Sequence, residues 1–188
     1  MKFKKTPLFL SMALAASLMA VPAYAANVDA PGTGETPVTI TAAATTFNVT
    51  VPTDIALAIK ADGTVTVPTN VKIINNSAGA VKVTAVTGKD GKWTLTNYNG
   101  GDRTELAKEK VDAKKLGLSL TAGGNAVTST GSNALTTVDS TMWRMEGKGT
   151  GDGNELPITV GAIATAVSTE VTQADEVATV TFTLAWDA

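Results

Sequence analysis

Apolar residues alternate with threonine along much of this chain, and that two-residue period restricts it to β structure. The last stretch is the clearest. In Ala178-Thr-Val-Thr-Phe-Thr-Leu-Ala-Trp186, Val180, Phe182, Leu184 and Trp186 share one face, and Thr179, Thr181 and Thr183 share the other. Side chains of a strand point alternately to its two faces, so this text describes a strand with one face buried. A strand this long and regular is expected at the centre of a sheet or supplied to a neighbouring subunit. The same period marks residues 38–41, 47–51, 55–59, 64–67, 71–74, 81–86 and 93–96.

Turn signals separate these runs. Asp62-Gly63 and Asp90-Gly91 lie between alternating stretches, a strong short-range hairpin signal, and Asn75 to Gly79 and Asn99-Gly100-Gly101 are turn clusters. Residues 104–115 are the one helix-like segment, with a thin apolar stripe of Leu106 and Val111, read as a short surface helix or a charged loop. Alternation returns at 116–120. Residues 123–140 read as an irregular connection with a short strand near 126–129, and 142–145 as an edge strand. Strands are expected at 156–160 and 163–167, with Pro157 on an edge because proline cannot donate to a ladder. Many short strands at close spacing predict one all-β domain, an antiparallel sandwich or jelly roll with at most one short helix.

The N-terminus has a different character. Lys2, Lys4 and Lys5 precede an apolar run over residues 8–20, and Ala23-Tyr24-Ala25 supplies a small-x-small cleavage pattern. This is the pattern of a secretory signal peptide, and the run is too short to span a bilayer. The expected organisation is a signal peptide over 1–25, a flexible arm over 26–36 and a β-sandwich over 37–188. Export without membrane insertion, to the extracellular space or the cell surface, follows as the expectation. A cysteine-free exported chain points to a Gram-positive bacterium as its source.

The residue set narrows the chemistry. The chain has no histidine and no cysteine, which removes Ser-His and Cys-His catalysis and His- or Cys-ligated zinc or copper. Without the three signal lysines, 12 basic residues face 17 acidic ones, a net charge of −5. Nucleic acid, whose binding needs basic patches, is not an expected partner. A non-enzymatic protein without cofactor is the expectation. Calcium remains available through oxygen ligands, and Asp152, Asn154 and Glu155 on a glycine-dense loop are its candidates. Trp93, Tyr98 and Trp143 are the candidates for stacking a sugar, with core positions as the competing assignment. Lys72 and Lys82 lie near Asn70, Asn75 and Asn76, a residue pairing that some surface adhesins join by isopeptide bonds.

Val38, Ile40, Phe47, Val49 and Val51 lie on strand-like text beside the flexible arm. Such a segment can complete a neighbour's sheet, making a homo-oligomer or polymer. It can equally pair within its own domain.

Three resemblances are carried by particular residues. Gly91-Lys-Trp93-Thr-Leu95, after the strand at 81–86, resembles the first Trp-x-Leu motif of the WxL surface domains. Those are secreted β-rich domains of Gram-positive bacteria that associate non-covalently with the cell wall. Their second Trp-x-Leu lies in the last strand, where this chain has Phe182-Thr-Leu184 and then Trp186. Asn75-Asn-Ser77 followed by Val81-Lys-Val83 is similar to an element of camelysin/TasA-like biofilm fibre proteins. The text TVPTDIALAIKADGTVTVPTNVKIINNSAGAVKVTAV, with the ending FTLAWDA, resembles small secreted Firmicutes proteins of the surface. These resemblances imply a β-rich fold and an extracellular location. The arm and the edge-capable strands make a structural matrix or fibre subunit the expected function, with cell-wall or carbohydrate binding as the alternative.

Overall fold

The alternating text folds as strands in a computed structural model that describes Ile40 and residues 42–170 and 175–188. The chain divides into two units, Met1–Ala44 and Thr45–Ala188. The residues of the expected signal peptide, 1–25, and of the expected arm, 26–36, lie outside the described residues, as does Val38, and the second unit begins at Thr45. Its first strands are β1 (Val49–Thr50), β2 (Ala58–Ile59), β3 (Val65–Thr66), β4 (Lys72–Asn75), β5 (Val81–Asp90) and β6 (Thr94–Thr96). β7 (Lys115–Ala122), β8 (Asn125–Gly131), β9 (Ala134–Leu135) and β10 (Arg144–Met145) follow, then β11 (Glu155–Pro157), β12 (Thr159–Ala164) and β13 (Ala178–Trp186). Among the described residues no helix is long and apolar enough to cross a membrane.

The helix-like segment forms only a 3₁₀ turn, Leu106–Lys108, in which Leu106 alone is buried. A helix with so little apolar surface gains almost nothing from packing. Asp112 and Lys114 take left-handed φ angles of 63° and 52°, which end any helix there.

The strands form an all-β, sandwich-type architecture. One sheet has the order β10-β5-β13, and another β12-β7-β8-β9 with β6 also on β7. A third is β1-β4-β11, and β2-β3 is a hairpin closed by Asp62-Gly63 with Gly63 at φ 77°. Pairing is antiparallel except between β6 and β7, which run parallel with Leu95 opposite Leu116. A parallel pair requires a long crossover, and residues 97–114 provide it. β6 and β8 share one edge of β7, end to end, opposite β12. Ser129 seals their junction: its Oγ donates to Thr96 O at 2.5 Å and accepts from Leu118 N at 2.9 Å.

β5 is the central strand, and its text conceals a change of phase. Val81 and Val83 are buried, then Val86 and Gly88, so inward positions pass from odd to even. β13 keeps its period, and the register against β5 jumps between Thr183 and Leu184, leaving Thr84 without an opposite residue. A bulge at Thr84 therefore returns Val86 to the core. Gly88 permits close approach of β5 to the second sheet, since a Cβ there would lie 2.8 Å from Leu95 Cδ1 and 3.1 Å from Leu135 Cγ.

Two edge assignments agree with the sequence: Pro157 lies on β11 at the rim of its sheet, and Arg144–Met145 on the rim beside β5. β13 is not central to its sheet, which was one of the two places expected for it. It is long and regular, yet it pairs with β5 alone and ends its sheet.

Three Asp-x-Thr turns repeat one local device. Asp62, Asp102 and Asp139 each accept the backbone N–H of the threonine two residues on, at 2.8, 2.8 and 3.0 Å. Those threonine bonds hold all three carboxyls below their ordinary pKa of 3.8. Asp187 is lowered by hydrogen bonds from Arg144 and Lys82, which tie the end of β13 across β5 to β10. A carboxyl whose folded pKa lies below its unfolded value stabilises the fold above the unfolded value, and that stabilisation is lost as pH falls through the folded pKa. The melting temperature is therefore expected to be flat above about pH 5 and to fall steadily below about pH 4. Asp187→Asn should lower the plateau slightly and make the acid limb shallower. Calorimetry across pH 2–7 checks this, and parallel curves for the two proteins would refute the role of Asp187.

Candidate functional site

A groove of about 1060 Å³ runs between residues 52–59 and the first half of β13. The sequence expected a strand over 55–59, but only Ala58–Ile59 pairs, with β3. The alternation still acts: Ile55, Leu57 and Ile59 are half-buried and turn inward, while Ala56 and Ala58 are exposed. On the facing side stand Val177, Val180 and Phe182, with the Trp93 indole between. A small void of about 40 Å³ beneath Ile55 and Leu57 reaches Leu116 and Leu118 of β7. The groove thus lies along the side of the sandwich where β13 ends its sheet.

Its rim carries one sign of charge. Among the described residues Asp54, Glu170, Asp175 and Glu176 line it, and no lysine or arginine does. Asp175 is bonded by Lys92 at 2.5 Å. The resulting surface has an apolar floor, an acidic rim and, on β13, backbone groups without a strand partner among the described residues. It is chemically suited to receive an extended polypeptide, and on its rim the Thr179 hydroxyl donates to Glu176 Oε1 at 2.7 Å. Among the described residues, no group of three acidic, His or Cys side chains is placed to hold a metal ion.

The candidate residues from the sequence fall elsewhere or change role. Trp143 is completely buried and Trp93 is 6 % exposed, so neither presents a free face to a sugar. Trp143 donates from Nε1 to Asn125 O at 3.2 Å and stands beside Phe182, with ring centroids 6.5 Å apart. Tyr98 is partly exposed and alone of the three retains an accessible ring. Trp93 and Trp143 are thus core residues, the competing assignment for them, and Tyr98 is the candidate that burial leaves open.

In the calcium candidate, Glu155 binds Lys72 at 2.8 Å and Asn154 donates its side-chain amide to Asn75 O at 3.2 Å. Asp152 is exposed on the 3₁₀ turn Gly151–Asn154. Two of the three side chains already have protein partners, so the loop is tied to β4 and is not a converging ligand set. Lys72 and Lys82 likewise pair with carboxylates, Glu155 and Asp187, rather than with asparagine.

Of the assembly candidates, Val49 pairs with Asn75 inside its own chain. Phe47 packs edge-on against Trp186 with centroids 5.0 Å apart, and Val51 is 37 % exposed. Pairing within the domain takes the 47–51 end of that segment. Ile40 is 88 % exposed, and Val38 lies outside the described residues.

Sequence reasoning did not anticipate the groove. The signal was present in Ile55-Ala-Leu-Ala-Ile59, which places three large groups on one side with little to pair its backbone. Trp93 and Phe182, which carry the resemblance to the two Trp-x-Leu motifs, both line the groove. Comparison of the chain with protein-family models, with curated proteins and with solved structures returns no match.

Proposed function

We propose that this chain is a non-enzymatic, exported structural protein of the cell surface or extracellular matrix, whose subunits associate by β-strand addition. The carrying observation is β13: nine residues long, paired on one side only among the described residues, with its apolar face half-buried beside the groove. Long open edges are templates for another strand, and proteins that do not use them normally shield them with charge, proline or a covering loop. β13 carries no charged residue and no proline. The absence of histidine and cysteine supports a role without catalysis, and the basic-apolar N-terminus supports export. A cell-wall or carbohydrate-binding module is the alternative, and it draws no support from the buried Trp93 and Trp143.

Light scattering of the processed chain, residues 26–188, followed by negative-stain microscopy, tests the reading. Concentration-dependent species many protomers in mass, or filaments, are expected. A monomer at every concentration up to about 1 mM would sink it, because association by even a six-residue strand should register there.

A further inference from the structure

Resting on that reading, we propose that the groove beside β13 is the acceptor site for residues 38–43 of a second copy of this chain. The donor, Val-Thr-Ile-Thr-Ala-Ala, is matched to the acceptor in three ways. The first is length. Six extended residues span about 20 Å, as do the six residues 177–182 along the groove. The second is charge. No residue from Thr36 to Thr53 is charged, while four carboxylates line the groove among the described residues, one of them, Asp175, paired with Lys92. A neutral segment meets no like-charge repulsion at an acidic rim. The longer uncharged stretch, residues 116–138, is already built into β7, β8 and β9. The third is availability. Ile40 is the central apolar residue of the donor, and at 88 % exposure its side chain lacks cover among the described residues of its own chain.

Alternation also gives the segment the right faces. With Val38 and Ile40 turned to the floor formed by Ile55, Leu57, Val180 and Phe182, Thr39 and Thr41 face water, repeating the pattern of β13 itself. Backbone pairing to the open edge supplies affinity, and the two apolar side chains fix the register. Donor and acceptor are different surfaces of one molecule. The contact is therefore head-to-tail, and unless it closes into a ring it propagates as a filament.

The chain has no cysteine, so introduced thiols report without background. Thr39→Cys protein is mixed with Thr179→Cys protein and treated with a short bis-maleimide. Thr39→Cys mixed with Lys108→Cys protein, whose exposed thiol lies on the 3₁₀ turn, is the control. Ile40→Asp is measured separately by light scattering. It alters an exposed side chain outside the β unit, so below the concentration at which the parent assembles the two melting temperatures should match. The expected result is a covalent heterodimer from the 39/179 mixture and not from the 39/108 mixture. The concentration needed for assembly should also rise by more than about tenfold in Ile40→Asp, since a carboxylate would be driven onto an apolar floor.

Each other outcome overturns the proposal in a distinct way. A Thr39→Cys/Thr179→Cys chain that cross-links only to itself, at monomer mass, would mean that the segment covers its own groove. Assembly unchanged in Ile40→Asp, with no 39/179 heterodimer, would remove this groove and leave strand addition to another edge. A parent protein that never assembles would remove the structural-subunit reading itself.

Discussion

Trp143→Ala is expected to lower the unfolding free energy by about 4 kcal/mol, the upper part of the range for emptying a buried aromatic site. Trp143 is completely buried, and its neighbours come from two sheets. Its carbonyl accepts from Val83 N at 2.8 Å, fixing it beside the central strand β5. Its indole stands by Phe182 of β13 and donates to Asn125 O at the start of β8. Truncation would leave a large void and strip the part-buried Asn125 O of that donor, which adds about 1 kcal/mol. The remaining stability of a domain is on the order of 5–15 kcal/mol, so the variant should be marginal. Denaturant melts should show a lower midpoint with an unchanged slope. Trp143→Phe retains most of the packing and loses the hydrogen bond, and should fall between the two. A loss below about 1 kcal/mol for the alanine variant would mean that Trp143 does not join the sheets.

How much of this was legible beforehand depends on the range of the interaction. Local signals read well. The Asp62-Gly63 hairpin joins β2 to β3, and the alternation of residues 178–186 is the facing pattern of β13. Pro157 reported an edge because a missing N–H is a local fact with a sheet-wide consequence. Interactions between distant residues read poorly. Nothing in Trp93-Thr-Leu-Thr96 reveals that it pairs in parallel with residues 115–117, and β5 was expected to stop at Val86 although it runs to Asp90. Its polar end, Thr87-Gly-Lys-Asp90, stays in the ladder because β13 lies alongside throughout. Strand length there is set by the partner and not by propensity.

The groove was hidden for a related reason. Residues 55–59 have the correct inward face but too few backbone partners, and periodicity reports facing without reporting pairing. The two candidate tryptophans illustrate the opposite error. A tryptophan amid polar neighbours looks like a binding residue in the text, yet Thr94 and Arg144 are simply the outward members of strands whose inward faces hold Trp93, Leu95 and Met145.

Asn75 carries the second large effect, and it is polar rather than apolar. Its side chain is fully buried at the end of β4. The amide donates to Gly79 O at 2.8 Å and to Glu146 O at 2.7 Å, and Oδ1 accepts from Ser77 N at 2.9 Å. Ser77 Oγ in turn donates to Asn48 O and accepts from Asn48 N, while Lys148 N donates to Ser77 O. One asparagine thus ties the 75–79 turn to the loop after β10, and through Ser77 to the strand that opens the domain. Asn75→Ala would take the donor from two part-buried carbonyls and the acceptor from the buried Ser77 N–H, and the loss should be about 2 kcal/mol or more. Asn75→Asp separates hydrogen bonding from volume. The new carboxylate keeps the bond from Ser77 N but faces two carbonyl oxygens, so burial and repulsion raise its folded pKa above the unfolded value. A raised carboxyl pKa destabilises the fold above the unfolded value, and the penalty fades as pH falls through the folded one. At pH 7 Asn75→Asp should therefore be less stable than Asn75→Ala, and its deficit relative to the parent should narrow on acidification. The parent's own acid limb makes the difference between the two curves, and not either curve alone, the quantity to measure. A deficit independent of pH would mean that water reaches the site and that the network is not sealed.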